Sequence, residues 1–289
     1  MSVAKMSSQV PSLVAFDLDG TTIEFGSQDL QARVQAAIEH AHDLGAQTAV
    51  VSGRPLHMLR PVQAHPWVDW LITMNGSLIL RSCDEMVLYG KAIPRADVLA
   101  SFDAVADLDP GLGVITRQGL FQERRMLNYM IQEPAPDGSP QAVDVDSILE
   151  HFPGATRVDS APAYVASSAE EVYKIQMSFP SPEVRDLAHA RLAAMARYEI
   201  ADMGIMEVEV TAVGVNKGTG LDQLCALVGI VAASAVAFGD SGNDMEMAGH
   251  VGTLVAVGNA TPAFKAVADE ICPPISEQGV AQWLEARLG

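Results

Sequence analysis

The stretch Leu13-Val14-Ala15-Phe16-Asp17-Leu18-Asp19-Gly20-Thr21 decides the fold. Its first four residues are apolar and predict a short buried strand. Side chains two residues apart on an extended segment point the same way, so Asp17 and Asp19 can face one site. Carboxylates held that close repel each other unless a cation lies between them or one is protonated. The stretch therefore indicates a site for a hard divalent cation such as Mg²⁺, although the same residues also suit a strand ending in a solvated Asp-Gly turn.

Length and composition indicate a globular protein with two domains. The chain has 289 residues, of which 49% are hydrophobic and 19% charged, and a chain of this length buries a large core. The formal net charge of −18 repels polyanions, which argues against nucleic acid and anionic membrane surfaces as partners. A small phosphorylated ligand could bind only where a metal and a few Lys or Arg side chains reverse the sign of the local charge.

The sequence also favours a cytoplasmic protein. It has no run of about 18 apolar residues that would suit a membrane span, and Met1 to Pro11 lacks the features of a secretory signal. Cys83, Cys225 and Cys272 are odd in number and far apart, which fits a reducing compartment better than a disulfide framework.

Short apolar runs alternate with helical patterns at both ends of the chain. This alternation predicts βαβ units with right-handed crossovers, hence an α/β, Rossmann-like parallel sheet with helices on both faces. The predicted strands are 13–16, 49–51, 70–74, 234–238 and 253–257.

The middle of the chain has a different pattern, and we predict an inserted α+β domain over residues 83–210. The two flanking segments, 1–82 and 211–289, then form one core domain. Alternation over Ile205 to Val210 predicts a strand with one packed face and one solvated face that carries Glu207 and Glu209. Composition also predicts a loop over 133–140 and a helix over 142–152.

Polar groups follow four of the five predicted core strands. In an open parallel sheet the ligand site lies beyond the carboxyl ends of the strands, so these groups are expected to converge. These residues, and Lys217 further along the chain, also have ordinary interpretations. Ser52 could cap a helix, and Arg54 and Lys217 could be surface charges. We interpret Asn75-Gly76 as a turn. The four groups are Asp17 with Asp19, Ser52 with Arg54, Asn75, and Asp240.

The order of these motifs resembles the haloacid dehalogenase superfamily of phosphotransferases. Asp17-Leu18-Asp19-Gly20-Thr21 is similar to its first motif and Ser52 in Val51-Ser52-Gly53-Arg54 to its second. Lys217 in Gly214-Val215-Asn216-Lys217-Gly218 resembles the third, and Gly239-Asp240-Ser241-Gly242-Asn243-Asp244 the fourth. The insertion between motifs two and three resembles the cap of the Cof-type, type IIB subfamily in placement and length.

The resemblance implies a role for each matching residue. Asp17 would be the nucleophile that forms an aspartyl-phosphate, and Asp19 the general acid and then base. Mg²⁺ would be held by the Asp17 carboxylate, the Asp19 backbone carbonyl and Asp240, with Asp244 supporting these ligands. Lys217 would neutralise charge on Asp17 and the phosphoryl group. The remaining phosphate-binding candidates are Thr21, Ser52, Gly53, Arg54 and Asn243.

The function that the resemblance implies is a Mg²⁺-dependent phosphatase acting on a small phosphomonoester, a sugar phosphate or related metabolite. Two alternatives stay open: a phosphosugar mutase with the same site, and a non-catalytic binding or regulatory protein. The inserted domain would select the substrate. Its basic residues are interpreted here as surface charges: Arg117, Arg124, Arg125 and Lys174.

Overall fold

The computed structural model describes residues 10–24, 27–132, 155–203 and 205–289. The predicted loop over 133–140 and helix over 142–152 lie outside these ranges. Within them, the strands in chain order are β1 (Leu13–Phe16), β2 (Gln47–Val51), β3 (Trp70–Thr73), β4 (Leu78–Arg81), β5 (Val87–Gly90), β6 (Gly111–Ile115), β7 (Leu120–Glu123), β8 (Ala155–Val158), β9 (Lys174–Ser178), β10 (Tyr198–Met203), β11 (Glu207–Ala212), β12 (Ala235–Gly239), β13 (Thr253–Ala256) and β14 (Glu270–Ile271).

The described α-helices are α1 (Ala32–Asp43), α2 (Arg60–Gln63), α3 (Arg95–Val105), α4 (Arg124–Gln132), α5 (Ala161–Ser167), α6 (Pro182–Ala194), α7 (Lys217–Val228), α8 (Pro262–Val267) and α9 (Gly279–Leu288). None of them is both long and apolar enough to cross a membrane.

A large sheet is built from both ends of the chain, in the order β14-β13-β12-β1-β2-β3-β4-β5. The six strands from β14 to β3 are parallel, and β4 and β5 continue the sheet as an antiparallel edge. Every residue of β1 and β12 is buried, as expected for strands covered on both faces. The predicted Rossmann-like α/β core is confirmed.

The order of the strands fixes where the ligand edge lies. From β1 the chain steps through β2 to β3 in one direction, and from β12 it steps through β13 to β14 in the other. Right-handed crossovers then place the two sets of helices on opposite faces, and β1 and β12 flank the point where the direction reverses. Ligands bind beyond the strand ends at such a point.

A smaller sheet forms the middle of the chain, in the order β10-β11-β9-β6-β7-β8. Its pairs are antiparallel except β7 with β8. It has its own hydrophobic cluster, in which Phe102 of α3 and Leu192 of α6 pack with strand residues such as Val208 and Val210. The described residues between β5 and α7 therefore form a second α+β layer.

The two segments that join the sheets differ slightly from the predicted boundaries. Strand β5 pairs with β4 in the large sheet, so that sheet continues to Gly90 rather than ending before residue 83. Strand β11 extends to Ala212 in the smaller sheet, past the predicted limit at 210. The pattern misleads at β5 because this edge strand is partly exposed and lacks the apolar character of the buried parallel strands. Lys91 Nζ donates to the Val213 carbonyl at 2.6 Å, which ties the two joining segments together.

The turn between β3 and β4 packs against the start of α7 through a glycine. Gly76 has φ +98°, and a Cβ there would lie 2.3 Å from the Asn216 carbonyl oxygen. Gly229, at the carboxyl end of α7, also has a positive φ of +74° but has nothing within 4 Å of its Cβ position. A side chain at Gly229 would therefore meet only the strain of a left-handed backbone, whereas a side chain at Gly76 would meet that strain and a steric clash.

We expect Gly229→Ala to lower the free energy of unfolding by about 1 kcal/mol, the usual cost of a left-handed alanine. Gly76→Ala should lower it by roughly 1–3 kcal/mol more, because the helix must also move away from the turn. Urea unfolding of both variants measures the difference. Equal losses would contradict the close packing of this turn on α7.

Candidate active site

Side chains from four strand ends and from the start of α7 meet at the carboxyl edge of the large sheet. Asp17 follows β1, Ser52 follows β2, Asn75 follows β3 and Asp240 follows β12. Parallel pairing of β1 with β2 and β12, and of β2 with β3, brings these four ends side by side. The convergence predicted from the sequence is therefore present, and Asn75 belongs to it.

The centre of the site is the ammonium group of Lys217. Its Nζ donates to Asp17 Oδ1 at 2.7 Å and to Asp244 Oδ1 at 2.6 Å. The lysine and aspartate side chains are almost fully buried, with Lys217 1% and Asp244 0% exposed. Burial disfavours the charged amine, but the two carboxylates outweigh it and raise the pKa of Lys217. The lysine is therefore a permanent cation held between two acids.

The sequence around Lys217 places this cation at the first position of a helix. Asn216 caps α7 by accepting from the Thr219 N–H at 2.8 Å, and Thr219 Oγ1 accepts from the Asn216 N–H in return. A cation at a helix N-terminus is repelled by the positive end of the helix dipole. The carboxylates of Asp17 and Asp244 offset this repulsion. Such a locally unfavourable placement is typical of functional sites.

Asp244 organises the loop that follows β12. Its Oδ2 accepts from the backbone N–H groups of Asp240 at 2.9 Å and Ser241 at 3.2 Å. Gly239 allows this approach, since a Cβ there would lie 2.7 Å from the Asp244 carboxyl carbon. With both oxygens engaged by N–H donors, Asp244 acts on the site by holding Lys217 and the Asp240 backbone.

Three carboxylates form a cluster that could hold a metal ion. One oxygen from each of Asp17, Asp240 and Asp244 lies within 4.8 Å of the others. Thr21 Oγ1 donates to Asp240 Oδ1 at 3.0 Å. Gly20, with φ +80°, leaves the space that this approach needs, because a Cβ would lie 2.6 Å from Asp240 Oδ2. The backbone of the first motif therefore brings Asp240 beside Asp17.

The electrostatics of this cluster fit a divalent cation. Burial raises the pKa of Asp240 to about 6, and the charge of Asp244 adds to the shift. Burial also raises the pKa of Asp17, reinforced by Asp244 and Asp240 and opposed by Lys217. The cationic side chains therefore do not fully balance the negative charges of Asp17 and Asp240. Carboxylate oxygens are also the hard ligands that Mg²⁺ or a similar ion prefers.

The side chain of Asp19 lies outside this cluster. Arg54 Nε donates to Asp19 Oδ2 at 2.8 Å and Arg54 Nη2 donates to Oδ1 at 2.5 Å, a bidentate pair. The Asp19 side chain is 46% exposed, whereas Asp17 is buried. Arg54, predicted to bind phosphate, is therefore occupied by Asp19, and the carboxylate of Asp19 stands on the open side of the site.

The predicted phosphate-binding groups Ser52, Gly53 and Asn243 lie together with Asn75. Ser52 Oγ accepts from the Arg54 N–H at 3.1 Å, and Asn243 Nδ2 donates to Asn75 Oδ1 at 3.3 Å. A Cβ on Gly53 would lie 2.9 Å from Asn75 Oδ1. The loops after β2, β3 and β12 thus contact one another through small or amide side chains.

A family model for haloacid dehalogenase-like hydrolases matches residues 14–284, nearly the whole chain. The chain belongs to this family. Its four motif positions, which the sequence resemblance assigned, are those that meet around Lys217.

Relatives of this chain in the family carry phosphatase names. The chain is 26% identical over 281 residues to the HMP-PP phosphatase of Yersinia pseudotuberculosis, covering 94% of this chain and 93% of that protein. It is 24% identical to the 5-amino-6-(5-phospho-D-ribitylamino)uracil phosphatase YcsE of Bacillus subtilis, covering 98% and 97%. The solved structure of the subclass IIB sugar phosphatase BT4131 superposes with a TM-score of 0.77 at 24% identity, over 95% of this chain and 98% of that one. This likeness shows a shared fold.

Sequence reasoning missed three residues at the edge of this hydrolase site. Lys174, interpreted as a surface charge, and Glu209, predicted on a solvated face, are 2% and 5% exposed and form an ion pair. Asn75, interpreted as a turn residue, donates to Glu209 Oε2 at 2.7 Å. The alternation of β11 correctly separates two faces, but the polar face lies over the large sheet instead of facing solvent. The one sequence signal for Asn75 was its place in an Asn-Gly pair directly after a parallel strand. Asn suits this place because it tolerates the left-handed φ of 58° found there.

The raised pKa of Asp240 makes stability depend on pH when metal is absent. The folded state binds more protons than the unfolded state between the ordinary value near 3.8 and about 6, so stability falls as pH rises through this window and stays reduced above it. In EDTA at pH 8, Asp240→Asn should raise the free energy of unfolding by on the order of 1–3 kcal/mol. The gain should vanish near pH 4.

Adding Mg²⁺ should raise the melting temperature of the wild-type protein and have less effect on Asp240→Asn. Asp43→Asn is a matched control, because Asp43 is an exposed acid at the carboxyl end of α1, on the edge of the sheet opposite the site. It should respond to pH, EDTA and Mg²⁺ as the wild type does. A destabilised Asp240→Asn in EDTA at pH 8 would contradict the proposed charge repulsion.

Proposed function

We propose that the protein is a Mg²⁺-dependent phosphatase that hydrolyses a small phosphomonoester, a sugar phosphate or related metabolite, through an aspartyl-phosphate on Asp17. The observation that carries the proposal is the buried Lys217 ammonium, which joins Asp17, directly after β1, to Asp244 of the loop after β12. The phosphatase names of the relatives support this activity within the hydrolase family.

Asp17 is the nucleophile in this proposal. One of its oxygens, Oδ1, accepts from Lys217, which fixes the plane of the carboxylate and leaves Oδ2 to attack phosphorus. The bond from the Asp17 oxygen to phosphorus forms, giving an acyl phosphate, as the bond from phosphorus to the leaving oxygen breaks. A phosphoryl transfer of this kind depends on positioning and on stabilising charge rather than on elaborate covalent chemistry.

Asp19 carries the proton in both steps. As an acid it protonates the leaving oxygen, and as a base it then takes a proton from the water that attacks phosphorus. In that second step the bond from phosphorus to the Asp17 oxygen breaks, which releases inorganic phosphate and restores the carboxylate. Its partial exposure and its pairing with Arg54 hold it beside the site, facing the side from which substrate and water arrive. To contact the leaving group, Asp19 would give up at least one of its two hydrogen bonds to Arg54.

The phosphoryl oxygens are bound by the loops after β2 and β12 in this proposal. Ser52 and Asn243 are buried side chains with polar hydrogens, and the Gly53 N–H belongs to the same loop as Ser52. Asp17, Asp240 and the Asp19 backbone carbonyl would hold Mg²⁺, which would supply positive charge to the phosphoryl group. Lys217 supplies the second positive charge.

We further propose that the smaller sheet is a cap that covers the site, excludes water and selects the leaving group. A cytoplasmic location also belongs to the proposal, supported by three cysteines that are free rather than bridged. The proposed substrate is a soluble phosphorylated metabolite, not nucleic acid or membrane.

A panel of phosphorylated metabolites and 4-nitrophenyl phosphate, assayed with Mg²⁺ and with EDTA, tests the function. We expect Mg²⁺-dependent phosphate release, with kcat/KM varying among the metabolites. Formation of an isomer without phosphate release would indicate the mutase instead. Tight binding without turnover of any substrate would indicate a binding protein.

Asp17→Asn should lower kcat by at least about three orders of magnitude, because the amide cannot form the phosphoenzyme. Steady-state assays on 4-nitrophenyl phosphate measure the loss, and far-UV circular dichroism checks that the fold is kept. Asp43→Asn is the control and should retain full activity. A variant with more than a tenth of wild-type turnover would rule out Asp17 as the nucleophile.

A further inference from the structure

A lysine and a glutamate of the smaller sheet are buried against the phosphate-binding loops of the large sheet. Lys174 lies on β9 and Glu209 on the neighbouring strand β11. Lys174 Nζ donates to Glu209 Oε1 and to the backbone carbonyl of Gly53 at 2.7 Å. The cation of this pair therefore reaches across to the loop that follows β2.

The carboxylate of Glu209 is saturated with donors. Besides Lys174, Gln176 Nε2 donates to Oε1 at 3.0 Å, and Asn75 Nδ2 donates to Oε2 at 2.7 Å. Burial alone would raise the pKa of Glu209, but the charge of Lys174 and these hydrogen bonds outweigh it and lower the pKa. Glu209 is thus a fixed anion that orients one donor from the large sheet, Asn75.

Asn75 also contacts the loops that follow β2 and β12. Its Oδ1 accepts from Asn243 Nδ2 at 3.3 Å, and its backbone N–H donates to the Ser52 carbonyl at 3.1 Å. Gly53 packs closely on these amides, since a Cβ there would lie 2.9 Å from Asn75 Oδ1 and 3.3 Å from Asn243 Nδ2. A cavity of about 20 Å³ remains beside Asn75, Glu209, Lys217 and Asn243, room for about one water molecule.

Stability is a weak explanation for a buried ion pair at this place. Replacing such a pair by apolar residues of similar volume is often neutral or stabilising, whereas removing one partner is strongly destabilising. The partners of this pair point to the site instead. Lys174 contacts the Gly53 carbonyl, on the loop that carries the proposed phosphate ligands Ser52 and Gly53. Glu209 contacts the Asn75 amide, whose oxygen accepts from a third proposed ligand, Asn243.

We propose that Lys174 and Glu209 are positioning residues that fix the phosphoryl-binding loops from the cap side. Lys174 holds Gly53 through its carbonyl, and Glu209 holds Asn243 through Asn75. The phosphate cradle is then complete only while the smaller sheet is seated on it. The inference rests on the proposed phosphatase function and adds residues that do not themselves touch the substrate.

A positioning role and a role in selecting the leaving group predict different changes of kcat/KM across substrates. Gly53 and Asn243 face the phosphoryl group, which is common to all substrates, so loss of the pair should lower kcat/KM by the same factor for every phosphomonoester. The loss should fall mainly on kcat, because misplaced donors stabilise the transition-state charge less. A residue that contacts the leaving group would change the ratio among substrates.

The test is the double variant Lys174→Met/Glu209→Leu, which removes both charges and leaves no buried ion unpaired. We expect a folded protein with a lower melting temperature, because the Gly53 carbonyl and the Gln176 and Asn75 amides each lose a hydrogen-bond partner. We also expect a 10- to 100-fold lower kcat/KM, equal for 4-nitrophenyl phosphate and the best metabolite. The affinity for orthovanadate with Mg²⁺, measured by calorimetry, should fall at least tenfold. The exposed cap pair Arg191 and Asp107 provides the control, and Arg191→Met/Asp107→Leu should leave all three quantities unchanged.

Asn75→Gly tests the same connection without touching the ion pair. Glycine accepts the left-handed backbone of Asn75, so only the amide link is lost, and a uniform drop of about tenfold is expected even if the double variant fails to fold. Wild-type kinetics in either soluble variant, or a loss confined to one substrate, would overturn the inference. If the wild-type protein hydrolyses nothing, the proposed function fails, and unchanged vanadate binding in the variants would separately reject the positioning role.

Discussion

The structure depends on one buried ammonium group, Lys217, held between the carboxylates of Asp17 and Asp244. A charge removed from water must be paired, and leaving one such ion unpaired costs about 3–5 kcal/mol. The three residues come from β1, from the start of α7 and from the loop after β12. Any shift of one of these elements would break a buried ion pair, so the electrostatics fix the relative positions of segments about two hundred residues apart.

Close backbone packing makes this arrangement possible. Gly20 and Gly239 leave room for the carboxylates of Asp240 and Asp244, and Gly218 brings the first turn of α7 against the Glu246 carbonyl, where a Cβ would lie 1.9 Å away. These glycines stand next to the acids and the lysine in sequence. Each of these motifs therefore combines a charged residue with a neighbouring glycine, and the glycine leaves the space that close packing at the site requires.

The core of the site could be predicted from the sequence because its information is local. Fully buried parallel strands appear as short apolar runs, and the residue after each run necessarily lies at the carboxyl edge of the sheet. The pairing of Arg54 with Asp19, and the burial of Lys174 and Glu209, could not be predicted in the same way. Alternation along β11 shows that Glu209 and Val210 face opposite sides, but which side is covered depends on how the smaller sheet sits on the larger one. That placement is a tertiary property with no local signature.

Charge balance explains how so acidic a protein could accept a phosphate dianion. Among the described residues, the acids at the site outnumber its cations: Asp17, Asp19, Asp240, Asp244 and Glu209 lie around Lys217, Arg54 and Lys174, and Glu199 and Glu246 line the adjacent cavity. Each cation already has a carboxylate partner, so the local excess of positive charge expected from Lys217 and Arg54 does not arise from the protein alone. A divalent cation at the carboxylate cluster would offset part of this negative charge. Repulsion from the distant acids is screened beyond about 10 Å at ordinary ionic strength, so the metal, rather than the net charge of the chain, would decide whether a phosphate can enter.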